Sequence, residues 1–598
     1  MSKNQKKLLP INYTNREFSS IQQDLLEIAE RFYPDSFQDF SEGSFGSMMI
    51  DAVSYVGDQL SFYLDYNVNE SFLDTAYQFS NIVRHGRALG YRYTGRPSTY
   101  GKVALYITVP ASTVGIGPDR DYLPILKRGS TFTANNDLSF ILTENVDFAD
   151  QRNLFVAVRN DSTTGAPTFY GVKAYGNVVS GQFGQERVTI GAYEKFKQIT
   201  LNTDNISEII SVYDSDGNQY YEVDFLAQDV IFKEISNPNF KNDNVPSIIK
   251  PLLVSRKFTS FTDRNSTTLQ FGSGRFNETD VVENPQNVAV NVYGKTYVTT
   301  TTFDPSRLSE NESFGIVPSN TELIITYRSN NPINSNVATN QLNSINFASF
   351  EFLDQQNLSN TLLQTVKNSL DVSNEEPIVG DVTIPSSDEI KQRIYDTFPT
   401  QNRAVTQTDY ENMAYRMPPK FGSIKRVSVQ KDPNSQKRNL NLYVISEGTD
   451  GKLVKSNSSI KNNLKTWMNQ YRMINDTVDI LDPYILNYGI EFVVRSQEAS
   501  DKFIVLDSCV AALKENYSKT HFIGESLYIS DIYKILKDVP GVLDVLSVKI
   551  FMKTGADYSN SSIDINSNLS GDGSQLIVPN NAVLELKFPE VDIVGKLR

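Results

Sequence analysis

Between Phe45 and Tyr66 the chain reads as a helix that is apolar around more than half of its circumference. Its apolar side chains are Phe45, Met48, Met49, Ala52, Val53, Tyr55, Val56, Leu60, Phe62, Tyr63, Leu64 and Tyr66. At about 100° per residue they span an arc of roughly 200°, twice the stripe of a helix lying on one core. Such a helix has to be covered from at least two sides. The sequence encodes only two helices of similar length beside it, so part of the arc is expected to wait for other chains.

The first of those neighbours opens with Thr14 and Glu17, a T-x-x-E pattern that predicts a capping box. Phe18, Ile21, Leu25, Ile28 and Phe32 follow at alternating spacings of three and four, a coiled-coil-like seam that Pro34 ends. The third helix is expected from about Glu70 to Leu89, with Phe72, Ala76, Phe79 and Val83 on one face and Gly90 as its C′ residue. Residues expected to meet partners are Phe18, Ile21, Leu25, Met49, Ala52, Val56, Leu60, Tyr63, Phe72 and Phe79.

A chain of 598 residues exceeds one core. We expect an α+β multi-domain protein: an N-terminal helical bundle segment (1–95), a β-rich middle domain (96–330), a connector (331–385) and two small C-terminal α/β units (386–483 and 484–598). The middle alternates in period two, beginning with Val103, Leu105, Ile107 and Val109. The segment 331–385 is Asn/Ser-rich with little periodicity, and partial strands or a surface-hugging linker are expected there. Further on, helices are predicted over Asp388–Tyr395, over Thr408–Tyr415 with Thr408 as cap, and around Ile460–Tyr471. A strand Tyr484–Val494, a helix bearing Cys509, a helix from Ser530, a strand Val542–Ile550 and a last strand Val583–Phe588 complete the plan.

Several function classes lack their usual signature. The net charge is −14 and no basic footprint is visible, which argues against direct nucleic-acid contact. No apolar run reaches the length of a membrane span, and the polar, basic stretch Met1–Pro10 does not read as a signal peptide. The single Cys509 lies on an apolar helical stripe and reads as a core residue. With only His85 and His521, a His-rich metal site is excluded on number alone. The run Asp214-Ser-Asp-Gly-Asn218 fails as a calcium loop, because Gln219 and Phe225 stand where glycine and glutamate are needed; a hairpin turn is expected instead. Gly272-Ser-Gly274 lacks the rest of a phosphate loop, and Glu375–Glu376 reads as solvated surface. No catalytic residue, cofactor or metal is expected.

At the level of motifs the chain resembles the large baseplate wedge proteins of T-even-like contractile-tailed phages, within the broader baseplate-J-like group. The resemblance is carried by Tyr13-Thr-Asn-Arg-Glu-Phe18, Pro34-Asp-Ser-Phe-Gln-Asp-Phe40, Gly57-Asp-Gln-Leu-Ser-Phe-Tyr63, Asn69-Glu-Ser-Phe-Leu73 and Leu89-Gly-Tyr91. Phe271-Gly-Ser-Gly274 and Ile325-Thr-Tyr-Arg328 are similar to the family's middle. Arg403, Ala404, Val405 and Thr406 followed by Asp409 and Tyr410 resemble its C-terminal signature, and Val539-Pro-Gly541-Val and Asp592-Ile-Val-Gly595 its end. One departure is Gly380-Asp-Val-Thr, where the family tends to carry a Gly-Gly pair. The resemblance implies a non-enzymatic virion protein, assembled in the host cytoplasm. Its implied partners are a second copy of itself, other wedge proteins including a large helical one, and sheath-initiating or hub-proximal baseplate proteins. A tail-associated adhesin or a polysaccharide-degrading enzyme are the alternatives. The first would need a long repetitive fibrous segment or a trimeric coiled coil. The second would need an acidic pair in a groove with stacking aromatics, whereas the single Trp467 sits on an apolar helical stripe.

Overall fold

A computed structural model describes residues 17–33, 41, 43–93, 97–113, 117–236, 247–263, 266–274, 314–330, 335–353, 355–380, 385–418, 421–433, 435, 439–448, 450–496, 502–517, 521–555 and 557–598. The helices relevant below are α1 (Phe18–Phe32), α2 (Phe45–Glu70), α3 (Phe79–Ala88), α4 (Asn360–Asn368), α5 (Ser387–Thr400), α6 (Gln407–Tyr415), α7 (Ser458–Met468), α8 (Lys502–Tyr517) and α9 (Ile529–Lys537). With the strands they make an α+β multi-domain protein whose N-terminal segment is helical. The chain divides into two compact units. One holds the residues up to Arg92 together with Pro385–Tyr395, and the other holds Tyr93–Ile384 and Asp396–Arg598.

In the first unit α1 starts later than the sequence pattern suggests. Glu17, expected inside the helix, is its extended N-cap residue, and its carbonyl accepts the first intrahelical bond from Ile21 at 3.0 Å. Thr14 lies outside the described residues. Helix α2 is capped by the Ser44 hydroxyl, which accepts from Ser47 N–H at 3.1 Å, and runs four residues beyond Tyr66. The third helix is correspondingly shorter than expected. Glu70 turns its carboxylate onto the backbone N–H groups of Tyr77 (2.8 Å) and Gln78 (3.1 Å) and the Asn81 amide (2.9 Å). An acid so placed satisfies unpaired donors at a helix start, and α3 therefore begins at Phe79. Gly90, with φ of 89°, closes it: Tyr91 N–H reaches Gly86 O at 2.8 Å and Gly90 N–H reaches Arg87 O at 3.1 Å, a Schellman ending.

The second unit contains two seven-stranded sheets. In the first, the strand Tyr100–Pro110 pairs antiparallel with Pro167–Ser180 along its whole length and with Asp371–Ser373 on its other side. Val103, Leu105, Ile107 and Val109 point into its core with Phe132, Phe140 and Phe148. Residues expected to be a connector complete this core. Leu363 and Val366 of α4, together with Leu342, Val372 and Ile378, are all buried in it. Their wide, irregular spacing hides them from a periodicity reading.

The second sheet, from Gln182–Ile190 to Thr321–Ser329, is inserted between Ser180 and Asn330. Its two crossing strands stay paired down to Gln182↔Ser329. Where they cross, Arg328 is buried and donates from Nη1 to Ser180 O (2.6 Å) and Ser98 Oγ (2.9 Å), and from Nη2 to Glu208 (3.4 Å). Asn330 Nδ2 donates to Pro97 O (2.9 Å) and Ser180 Oγ (3.0 Å). Gly181 (φ 131°) allows this crossing, because a Cβ there would lie 2.8 Å from Ser329 O. The Asp214–Asn218 segment is the expected hairpin turn, its Asp214 carboxylate accepting from Asp216 N–H and Asn218 N–H.

Each C-terminal sheet has a central strand with an antiparallel neighbour on one side and a parallel one on the other. In the first, Asn439–Glu447 lies between Arg426–Lys431 and Thr477–Leu481, with α7 against it. In the second, Tyr484–Ser496 pairs antiparallel with Val542–Met552 and parallel with Ala582–Glu585 and Ile593–Leu597, with α8 and α9 packed on it. Cys509 of α8 is buried there, and burial pushes its thiol up to about 11.

Candidate interaction surface

Helix α1 lies against α2, but not against its apolar arc. A Cβ at Gly57 would stand 3.2 Å from Ile21, the Gln22 amide donates to Asp51 at 2.5 Å, and Ser54 is fully buried. On a helical projection Ser47, Ile50, Ser54, Gly57, Asp58 and Ser61 share this narrow side. Its small residues let α1 approach closely.

The opposite side is open. Phe45, Met48, Met49, Val53, Tyr55, Val56, Leu60, Phe62, Tyr63, Leu64 and Val68 are all exposed, with Tyr55 at 59%, Phe62 at 63% and Leu64 at 66%. Contiguous exposed apolar surface of this kind marks a site of interaction or a liability. The rings along it contact one another: Phe62 and Tyr66 stack at 6.3 Å and Phe62 meets Tyr63 edge-on at 5.9 Å.

The residues expected to meet partners are distributed as follows. Met49, Ala52, Val56, Leu60 and Tyr63 are exposed on the open side of α2, and Phe18 is exposed at the start of α1. Ile21 and Leu25 are half-buried on α1, with Ile21 against Gly57. Phe72 is exposed in the loop after α2 rather than on a helix, and Phe79 is half-buried at the start of α3. Asp51 and Asp58 are half-buried on the side that α1 takes, where Asp51 accepts from Gln22.

The signature segment does structural work. Thr406, not Thr408, caps α6, and Thr406 and Asp409 form a reciprocal capping box at 3.2 and 2.8 Å. Ala404 is buried and its N–H bonds to Tyr471 O, whereas Arg403 and Val405 are exposed. Tyr410 is buried and its hydroxyl donates to Asp476 at 2.7 Å; burial pushes that phenol up to about 12. Gly541, with φ of 90°, turns the chain from α9 into Val542–Met552. Elsewhere, the Glu375 carboxylate accepts from Lys173, Tyr175 and Tyr106 on an exposed sheet face. Among the described residues no helix is long and apolar enough to cross a membrane.

A comparison with curated proteins finds no match. Among solved structures, a chain of the anti-feeding prophage baseplate, determined by cryo-electron microscopy with sixfold symmetry, is 12% identical with a TM-score of 0.26; the match covers 95% of this chain and 89% of that one. A chain of the TssK-TssF-TssG baseplate subcomplex of a type VI secretion system is 9% identical with a TM-score of 0.23, covering 73% of this chain and 95% of that one. Residues 17–88 match the family model described as bacteriophage baseplate protein, N-terminal domain. The segment that forms α1, α2 and α3 is therefore similar to the N-terminal domain of bacteriophage baseplate proteins.

Proposed function

We propose that the protein is a structural component of a contractile phage tail baseplate and works there as a wedge scaffold in the virion. The observation that carries this reading is a coincidence of place. The stretch similar to a phage baseplate domain is also the stretch whose longest helix leaves its apolar arc uncovered. In this reading α2 is completed by other chains: a second copy within the wedge and a helix of a large wedge partner. The C-terminal units link wedges into a ring around the hub, and a heterologous contact that closes produces such a ring. Rearrangement on host contact then passes to the sheath as rigid-body rotation about interfaces.

The test is to mix the chain with the other tail proteins of its own virion and size the complexes. Val56 sits at the centre of the open arc. Val56→Asp should leave the chain folded yet exclude it from those complexes, because an unpaired charge in a packed bundle costs several kcal/mol. Normal complexes with this variant would overturn the assembly role.

A further inference from the structure

The strand Leu154–Asn160 lies at a margin of the first large sheet. It pairs antiparallel with Pro167–Ser180, from Leu154↔Lys173 to Asn160↔Pro167, and no other described strand pairs with it. Its outer edge therefore presents a row of main-chain N–H and C=O groups. Leu154, Val156 and Val158 share one face and are 60%, 52% and 59% exposed. Val158 leans over Gly171, where a Cβ would stand 2.8 Å from it. Phe155 points the other way, against the core of the sheet, and Ala157 is exposed beside it.

Open sheet margins are normally blunted by charge or proline, because a free edge recruits other strands. Two margins elsewhere in the molecule follow that rule. Gln182–Ile190, at the end of the second large sheet, carries Glu186 and Arg187. Val542–Met552, at the end of the sheet built on Tyr484–Ser496, carries Asp544 and Lys549. The run Leu154-Phe-Val-Ala-Val158 has neither a charge nor a proline. Arg159 comes only where the register shifts, between Ala157 and Arg159. That bulge ends regular pairing and limits the open edge to these five residues.

The run is complementary to itself. Turned antiparallel about Val156, Leu154 faces Val158, Val156 faces its own copy, and the large Phe155 faces the small Ala157. Apolar cross-strand pairs of this kind stabilise a sheet. Just outside the run the same register brings Arg152 near Asn160 and Arg159 near Asn153, so like charges do not meet. A two-fold contact requires a patch that matches itself in this way.

We propose that Leu154–Val158 is the docking edge for a second copy of this chain, joined to it by the same run about a two-fold axis through Val156. The sheet continues from one copy into the next by main-chain hydrogen bonds, and the alternating side chains fix the register. The contact belongs to the second compact unit and uses no residue of α2.

The experiment uses the full chain with Val156→Cys, under mild oxidation by diamide, and reads crosslinked dimer on a non-reducing gel. The native Cys509 is buried, and the unsubstituted chain is the control. Directly opposed residues of an antiparallel pair have Cα atoms about 4.5–5.5 Å apart, within reach of a disulfide. Two copies of residue 154 would lie about 14 Å apart in this register, at 3.4 Å per residue. Val156→Cys should therefore give about tenfold more dimer than Leu154→Cys, and mixing Leu154→Cys with Val158→Cys chains should restore the yield. Leu154→Lys/Val158→Lys, added to Val156→Cys, sets like charges opposite each other at exposed positions and should lower the yield severalfold. Val56→Asp, added instead, should leave it unchanged, so that this contact and the assembly role of α2 fail separately. Equal yields from Val156→Cys and Leu154→Cys, no crosslink, a yield lost with Val56→Asp, or a crosslink to another tail protein in place of a second copy would each overturn the proposal.

Discussion

In the strand Tyr484–Ser496 the side chains of Leu486, Tyr488, Ile490, Phe492 and Val494 are all buried; on α2 those of Tyr55, Val56, Leu60, Phe62 and Tyr63 are all exposed. The two segments are built from the same residue types. What differs is the company each has in its own chain. The strand is flanked by Val542–Met552, Ala582–Glu585 and Ile593–Leu597 and covered by α8 and α9. Helix α2 has α1 on its narrow small-residue side, and the side chains of its broad side are exposed. Burial is thus a property of an element together with its neighbours, and a side chain's hydrophobicity alone does not say which chain will cover it.

The comparison breaks most visibly at Phe492. Its ring is fully buried, and a Cβ on Gly595 would stand 2.5 Å from it. Phe492→Ala should destabilise the second unit by about 3–5 kcal/mol, through lost transfer energy and the cavity left behind. Denaturant unfolding followed at far-ultraviolet wavelengths would register this, and a loss below about 1 kcal/mol would mean that the site collapses freely. The next effect is expected at the crossing between the two large sheets. Gly181→Ala should cost about 1–3 kcal/mol from backbone strain, and faster proteolysis within the inserted sheet is its expected signature.

Thr406→Ala tests the cap of α6, with an expected loss of about 1 kcal/mol. Its partner Asp409 adds a pH dependence. Partial burial pushes the Asp409 carboxyl up, but hydrogen bonds from Thr406 and Val405 N–H and from the Thr406 and Thr400 hydroxyls outweigh it, and the group is held below the usual carboxylate range. A depressed acid contributes stability that is present above its unfolded value, near pH 4, and lost as pH falls through the folded one. The acid limb of a stability profile should therefore flatten in Asp409→Asn.

Much of this was legible from residue spacing. The exposed arc, the helix around Cys509, the strand from Tyr484 and the Gly90 ending all follow from local rules, where one turn of helix or one pleat decides the outcome. The misreadings share a physical cause. Glu70 ends one helix and caps the next through space, so the boundary near Ser71 depends on a contact with Tyr77 and Gln78 that no periodicity carries. Residues 335–380 join a core built mainly by strands two hundred positions earlier, as the pairing of Ala104 with Ser373 illustrates. The closing strand Ile593–Leu597 was missed because its partner, Ile490–Val494, lies far back in the chain. For the interaction surface, the arc itself was readable, whereas the side that α1 takes depends on the contact of Ile21 and Gln22 with Gly57 and Asp51.

The smallest effect on the isolated chain is expected on α2, and it sharpens the comparison most. Leu60→Ser and Leu64→Ser remove apolar groups that no part of the described chain buries. Each should change unfolding free energy by less than about 0.5 kcal/mol, as surface substitutions do, in contrast to the loss expected at Phe492. The same changes should lower binding of a hydrophobic dye and reduce self-association of the purified chain, because they shrink the open apolar patch. A loss near 2 kcal/mol for either would mean that the face is already covered in solution, and α2 would then be an ordinary core helix like α8.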